Sequence, residues 1–299
     1  MSYSPLPRPR TPAIRRASLR DARRDGVRAL RIPLRTQTEI DAIRAAGRIA
    51  QQALAAAAAQ CVAGATTSDL ADAAAECIDR LGGEALFLTR GFPACACVSV
   101  NEEVVHGVPG SRRLLDGDLV TIDCGVRLDG WCADSAVTCG VGELSPVLAD
   151  LLRTTRELLG LAIAESRPGR LWSEIAGAME STASARGYRI VRDYVGHGIG
   201  RELHEPPEVP NHAAPAGGGR QDDFTLRPGM TLAIEPIVVL GNAETIEAGD
   251  GWTVVTVDGS PACHFEHTVA IARDRADVLT DDGDSESHDS IDLSVTKRS

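Results

Sequence analysis

Lysine is all but missing from this chain. Thirty of its 31 basic residues are arginine, and Lys297 is the single exception. Together with the abundance of alanine, this reads as the imprint of a GC-rich coding bias rather than a functional device. A basic surplus is missing as well. The net charge of −11 excludes a general nucleic-acid binder, which would carry a positive surface. None of the eight cysteines (Cys61, Cys77, Cys95, Cys97, Cys124, Cys132, Cys139 and Cys263) forms a C-x-x-C pair, and Cys95-Ala96-Cys97 is too close for a zinc-finger spacing. Most lie in apolar runs, where a free thiol behaves as a small core residue, so the sequence predicts reduced, structural thiols and a cytoplasmic location. No apolar run approaches the ~18 residues that span a bilayer. Arg and Pro interrupt residues 1–30 throughout, which leaves no signal-peptide core.

What is present begins with an ordinary globular composition, 43% hydrophobic and 24% charged over 299 residues, enough chain for a well-buried core. Residues 1–35 carry ten Arg against two Asp with four early prolines, and read as a disordered basic arm whose alternative role is contact with a partner such as the ribosome. Residues 276–299 hold seven acids against Lys297 and Arg298, and read as a disordered acidic tail. Between them, residues 36–275 form the predicted catalytic domain. Thr36-Gln37-Thr38-Glu39 fits a capping box, and Ile40, Ile43, Ala46 and Ala50 keep helical spacing after it. A second helix over about 67–81 stops at Gly82-Gly83. Strands follow at 97–100 and 119–126, then at 131–139 beyond the turn pair Asp129-Gly130. The second half repeats this order: a helix opened by Ser145-Pro146, another over about 173–185, and strands near 190–195, 231–239, 251–257 and 266–271. The fold class is therefore α+β, an internal duplication of helix, helix and antiparallel strands, with a site expected between the halves.

Five residues spread over 144 positions suggest what that site holds: Asp123, Asp134, His197, Glu235 and Glu266. Each sits in an apolar or glycine-flanked setting, where a lone ionisable group is costly unless it neutralises or recruits a cation. Four converging carboxylates repel one another, and two divalent cations would neutralise them. If Asp129-Gly130 is a two-residue hairpin loop, Asp123 faces Ala136, and Asp134 lies two residues along on the same face. Such diagonal neighbours stand roughly 7–8 Å apart, within reach of one ion or a bridged pair. His197 lies between Gly196 and Gly198, which allow close backbone approach. Taken one at a time, each of these groups reads equally well as a surface acid, a turn residue or a hydrogen-bonded structural group.

The stretch from about Leu34 to Asp274 resembles the type I methionine aminopeptidases, of the creatinase-like or pita-bread fold. The motifs that carry the resemblance are Asn101-Glu102, His106-Gly107-Val108-Pro109, Ile122-Asp123 with Asp134-Ser135 eleven residues on, Gly196-His197-Gly198-Ile199-Gly200, His204-Glu205, Pro228-Gly229-Met230, Ile234-Glu235-Pro236, Gly251-Trp252-Thr253-Val254 and Glu266-His267-Thr268. The resemblance implies a hydrolase that removes the N-terminal methionine of nascent polypeptides when the next residue is small. It implies that Asp123 chelates one ion, that Asp134 and Glu266 bridge both, and that His197 and Glu235 complete the ligand set of the second ion. An ion-activated water would be the nucleophile, with Glu235 as proton shuttle, and His106 and His204 would contact the scissile peptide without ligating. An oxygen-rich set with one imidazole suits Mn²⁺, Fe²⁺ or Co²⁺, with Zn²⁺ and Ni²⁺ as further candidates.

The substrate pocket implied by the resemblance is lined by Phe92, Cys97, Leu203 and Trp252, with His106 at its rim. It departs from the family at Leu203, which replaces a usual Phe, and at Leu86 and Thr89, which stand where Cys and Tyr are common. Two other readings remain open at this stage. One is an Xaa-Pro dipeptidase of the same fold, whose large N-terminal domain about 35 residues could not provide. The other is a non-catalytic binding paralogue that has lost its metals. A type II enzyme is disfavoured, because only 30 residues separate His204 from Glu235.

Overall fold

The computed structural model describes residues 31–213 and 223–281. Helix α1 (Gln37–Ala58) starts at the expected capping box: the Thr36 hydroxyl accepts from the Glu39 amide, and the Glu39 carboxylate accepts from the Thr36 amide at 2.8 Å. Its buried stripe is Ile40, Ile43, Ala46, Ala50 and Leu54. Helix α2 (Thr67–Arg80) has a second capping box, Thr66 with Asp69. A single short turn, α3 (Leu86–Thr89), follows. In the second half, Ser145 caps α4 (Pro146–Glu165), and α5 (Trp172–Ala185) packs on it. The two helix pairs are the repeated element that the sequence predicts.

These helices cover one nine-stranded antiparallel sheet. Its main path runs Glu84–Ala85, Leu119–Leu128, Trp131–Gly140, Glu266–Ile271, Thr231–Ile234, Gly196–Gly198 and Glu205–Val209. Cys97–Val100 also pairs with Leu119–Leu128, and Ala276–Val278 with Glu266–Ile271. Two three-stranded sheets flank it. One has Ile237–Val239 between Ala262–His264 and Arg189–Ile190; the other has Val254–Thr256 between Thr245–Glu247 and Glu103–Val105. The central hairpin turns at Asp129 (φ 50°) and Gly130 (φ 76°), both left-handed as a tight two-residue loop requires. Its register sets Asp123 opposite Ala136, as predicted. The strand Trp131–Gly140 from the first half pairs with Glu266–Ile271 from the second, so the two halves meet there.

Several boundaries differ from expectation. The 231–239 strand is two strands broken at Glu235-Pro236, because proline has no amide to continue a ladder. The 251–257 strand shrinks to Val254–Thr256, because the Asp250 carboxylate accepts the Trp252 and Thr253 amides at 2.9 Å each and holds a turn there. Of 190–195 only Ile190 is in a strand; the chain turns away at Arg192 and Asp193. The termini are also more ordered than the sequence suggests. Arg35, assigned to the basic arm, donates its amide to Gly229 O at 2.7 Å and forms an ion pair with Glu205. Residues 276–278, assigned to the acidic tail, pair with the sheet, and the Arg44 guanidinium donates to Val278 O at 2.7 Å beside a buried Leu279. Residues 1–30 of the basic arm and 282–299 of the acidic tail lie outside the described residues. All eight cysteines are free and buried, and among the described residues no helix is long and apolar enough to cross a membrane.

Candidate metal centre and active site

The sheet register gathers the five predicted ligands by strand alternation alone. Side chains directly opposite each other, and those two residues along, share a face. Asp123 pairs with Ala136, and Ala136 with Glu266, so two acids flank one small residue in a single row. The same ladder carried one step past Ile234↔His267 brings Glu235 opposite Glu266, in the same row. Two residues along, Asp134, Thr268, Ala233 and His197 form the second row. Alanines at 136 and 233 keep the face open between the larger groups.

The backbone beneath these side chains is tightly fastened. The Thr268 hydroxyl accepts from the Asp134 amide at 2.9 Å and donates to Asp134 O at 2.8 Å. The Ser135 hydroxyl donates to Glu266 O at 2.8 Å. The glycines around His197 are required by close approach: a Cβ at Gly196 would lie 2.3 Å from Ala233 O, and one at Gly198 would lie 2.3 Å from Pro206 O. His197 Nδ1 lies 3.0 Å from Gly198 O, which favours a proton on Nδ1. That leaves the Nε2 lone pair facing Asp134 at 3.8 Å and Glu266 at 3.9 Å. Glu235 is held by its carbonyl, which accepts from Asn211 Nδ2 at 2.6 Å.

Electrostatically the cluster is unfinished. Burial pushes the Asp123 and Glu266 carboxyls well above the ordinary range, and the neighbouring carboxylates add to the push. Burial also raises Asp134 to about 7 and Glu235 to about 8, the latter helped by the charge of Asp134. Burial lowers His197 to about 4, so its ring is neutral and available as a donor of electrons. Asp123 Oδ1 and Glu266 Oε1 are buried with no hydrogen-bond partner among the described residues. Such groups are costly unless something else satisfies them. Buried hard oxygen donors with a neutral imidazole are the donor set a divalent cation takes, so these residues fit metal ions.

The possible ligand atoms fall into two trios, each within a mutual distance of 4.8 Å: Asp134, His197 and Glu266, and Asp123, Glu235 and His264. Glu235 lies in the trio with Asp123 and His264. His264 is the residue the sequence reading missed. Its signal was present: it lies two positions before Glu266 and so shares its face.

The two expected non-ligand histidines stand outside both trios. The ring of His204 lies 4.2 Å from that of His197, nearly perpendicular to it, and opens to solvent. His106 has a left-handed backbone (φ 58°), and its ring packs edge-on to Tyr194 at 5.9 Å. A non-glycine residue held there is conformationally strained, a feature that clusters at functional sites.

Beside the carboxylates lies an apolar cluster that contains Phe92, Cys97, Leu203 and Trp252. Phe92 meets Trp252 edge-on at 5.4 Å. Cys97 is paired directly opposite Asp123, so this cluster and the acidic one share a wall. Leu86 is part of the cluster, as is Phe87, which the sequence reading did not name. Thr89 is exposed, with its hydroxyl donating to Leu86 O at 2.7 Å.

Known proteins share this sequence pattern and architecture. The sequence profile of metallopeptidase family M24 matches residues 41–273. A methionine aminopeptidase of Clostridium perfringens is 42% identical over 250 residues, spanning 83% of this chain and 98% of that protein. The crystal structure of a methionine aminopeptidase from Thermotoga maritima superposes with a TM-score of 0.79 at 41% identity, covering 84% of this chain and 99% of that one. A prolidase from Pyrococcus furiosus, 23% identical with a TM-score of 0.67 over 83% of this chain and 65% of its own, shares the fold. The two helix pairs, the joined sheet and the acidic centre are the pita-bread arrangement, and the chain belongs to metallopeptidase family M24 and, within it, to the methionine aminopeptidases.

Proposed function

We propose that this protein removes the N-terminal methionine from newly made polypeptides whose second residue is small. The observation that carries this reading is the convergence of three buried carboxylates, the half-buried Glu235 and His197 on one sheet face, beside an apolar cluster and two further histidines. Asp123, Asp134, His197, Glu235 and Glu266 would hold two divalent ions, of which Mn²⁺, Fe²⁺ and Co²⁺ best suit the oxygen-rich donors. Bound there, the ions would supply Lewis acidity and lower the pKa of water toward neutrality.

The protein's own groups do the rest. The methionine side chain enters the pocket of Phe92, Cys97, Leu203 and Trp252, which selects by apolar fit. Glu235, the most accessible of the carboxylates and the one at the Pro236 break, takes the proton of the attacking water and delivers it to the leaving amine. His204 and His106 donate hydrogen bonds to the scissile peptide as its oxygen gains charge. The same two rings crowd the second substrate residue, which restricts it to small side chains. Free buried thiols fit a reducing cytoplasm. For the basic arm over residues 1–35, a solvated segment is the simplest role and ribosome contact the alternative.

Rates of N-terminal release from Met-Ala-Ser, Leu-Ala-Ser and Ala-Ala-Ser peptides test the reading. Methionine should be released fastest. A preference for a charged or β-branched first residue would overturn the pocket assignment.

A further inference from the structure

We propose that His264 is a metal ligand, so that each of the two ion positions carries one imidazole and two carboxylates. The inference rests on the two-ion reading above and concerns a residue that reading does not use.

The ladder places this side chain. Ile237 pairs with His264 in the same register that pairs Ile234 with His267 and Val239 with Ala262. The alignment is therefore continuous through the break at Glu235-Pro236. Alternation then puts His264 on the face of Glu266 and makes it the diagonal neighbour of Glu235. In the structure His264 Nε2 is 3.5 Å from Glu235 Oε1. Its ligand atom lies with those of Asp123 and Glu235 inside a 4.8 Å span. Bonds of roughly 2.0–2.2 Å span donors up to about 4.4 Å apart, so His264 Nε2 and Glu235 Oε1 lie within reach of one ion. The trio mirrors Asp134, His197 and Glu266 in composition, with two oxygens and one nitrogen.

Two further observations point to a missing partner. His264 is 1% exposed, yet its Nε2, the ring nitrogen that faces Glu235, has no hydrogen-bond partner among the described residues. Asp123 Oδ1, in the same trio, is also unpartnered. Two unsatisfied polar side chains in one small volume are costly, and a shared cation would satisfy both. The backbone that aims the ring is fixed, because the Thr138 hydroxyl donates to His264 O at 2.5 Å and the strand Ala262–His264 pairs along its length. An imidazole at each position would favour Fe²⁺, Co²⁺ or Zn²⁺ over Mn²⁺ more strongly than five oxygen-dominated ligands would.

X-ray absorption on the full-length protein loaded with two equivalents of Co²⁺ counts the coordinated imidazoles. Two per pair of ions are expected, from His197 and His264. Calorimetric titration of the metal-free protein with Co²⁺, in wild type and in His264→Gln, should show one of the two sites weakened by about 10–100-fold or more. The imidazole count of the variant should fall to one, while the far-ultraviolet circular dichroism of the metal-free form is unchanged. Two bound Co²⁺ ions with a single imidazole in wild type would overturn the inference and leave the two-ion reading standing, as would unchanged affinities in a folded His264→Gln. Wild type that takes up no Co²⁺ would overturn both. Should the variant fail to fold, the wild-type imidazole count decides.

Discussion

Two neighbouring regions share the wall formed by Cys97 and Asp123, and they are assembled on opposite principles. On one side, Asp123, Asp134, Glu235 and Glu266 are buried together with protonation pushed upward and oxygens left without partners. On the other, Leu86, Phe87, Phe92, Leu203 and Trp252 are packed with their contacts satisfied. The first region is destabilising by itself and requires something the chain does not provide. The second is complete by itself, and the proposed function gives it the choice of substrate side chain. The contrast predicts that changes in the acidic region act on metal binding and rate by large factors, and changes in the apolar region act on selectivity by small ones.

The sharpest way to break this contrast is Glu266→Gln. It removes a charge from the row shared with Asp123, and should lower kcat by more than about 10³ while reducing the bound divalent ions from two to one or none. Retention of two ions, measured by plasma emission, would show that Glu266 is dispensable. Next in size is His204→Ala, which should leave metal content intact and lower kcat by about 10²–10³, the effect of losing one transition-state donor. Loss of metal in that variant would make His204 a ligand.

A third prediction concerns pH and needs no substrate. Glu235 is raised from its ordinary 4.5 to about 8, and Asp134 from 3.8 to about 7. A carboxyl with a raised native pKa binds its proton more tightly folded than unfolded. Its stabilising contribution is therefore full below the unfolded value and is lost as pH rises through the native one. Metal-free protein should melt at progressively lower temperature between about pH 4.5 and 8, as read by scanning calorimetry. Added Mn²⁺ should reverse the trend, since it binds the ionised forms. A slope unchanged in Glu235→Gln would detach the trend from this residue. The smallest effect belongs to Leu203→Phe. An apolar pocket discriminates by about 1–3 kcal/mol per methylene, and at the low end of that range the methionine-over-leucine ratio should rise by about tenfold, with metal content unaltered.

Much of this was legible in the sequence because it is written locally. Thr36 and Glu39 mark the start of α1, and Asp129-Gly130 fixes a hairpin register that places Asp123 against Ala136. Pro236 after Glu235 marks a strand end, and the ladder does break between Ile234 and Ile237. What escaped is either too short to show a pattern or depends on distant partners. Ala276–Val278 looks like the rest of an acidic tail, although it is the hairpin neighbour of Glu266–Ile271, because three residues beside a run of acids show no alternation. Glu84–Ala85 and Arg189–Ile190 are too short to show a period. His264 shares a face with Glu266 through simple alternation, but its grouping with Asp123 requires the pairing of two strands that lie more than a hundred residues apart.

The central claim is that this buried carboxylate cluster is completed by a pair of cations. Anomalous scattering from crystals of the full chain grown with Mn²⁺ tests it most directly. The account predicts two peaks roughly 3.5–4 Å apart, one against Asp134, His197 and Glu266 and the other against Asp123 and Glu235. Saturating Mn²⁺ that leaves no peak among these side chains, or one peak bound elsewhere, would contradict it.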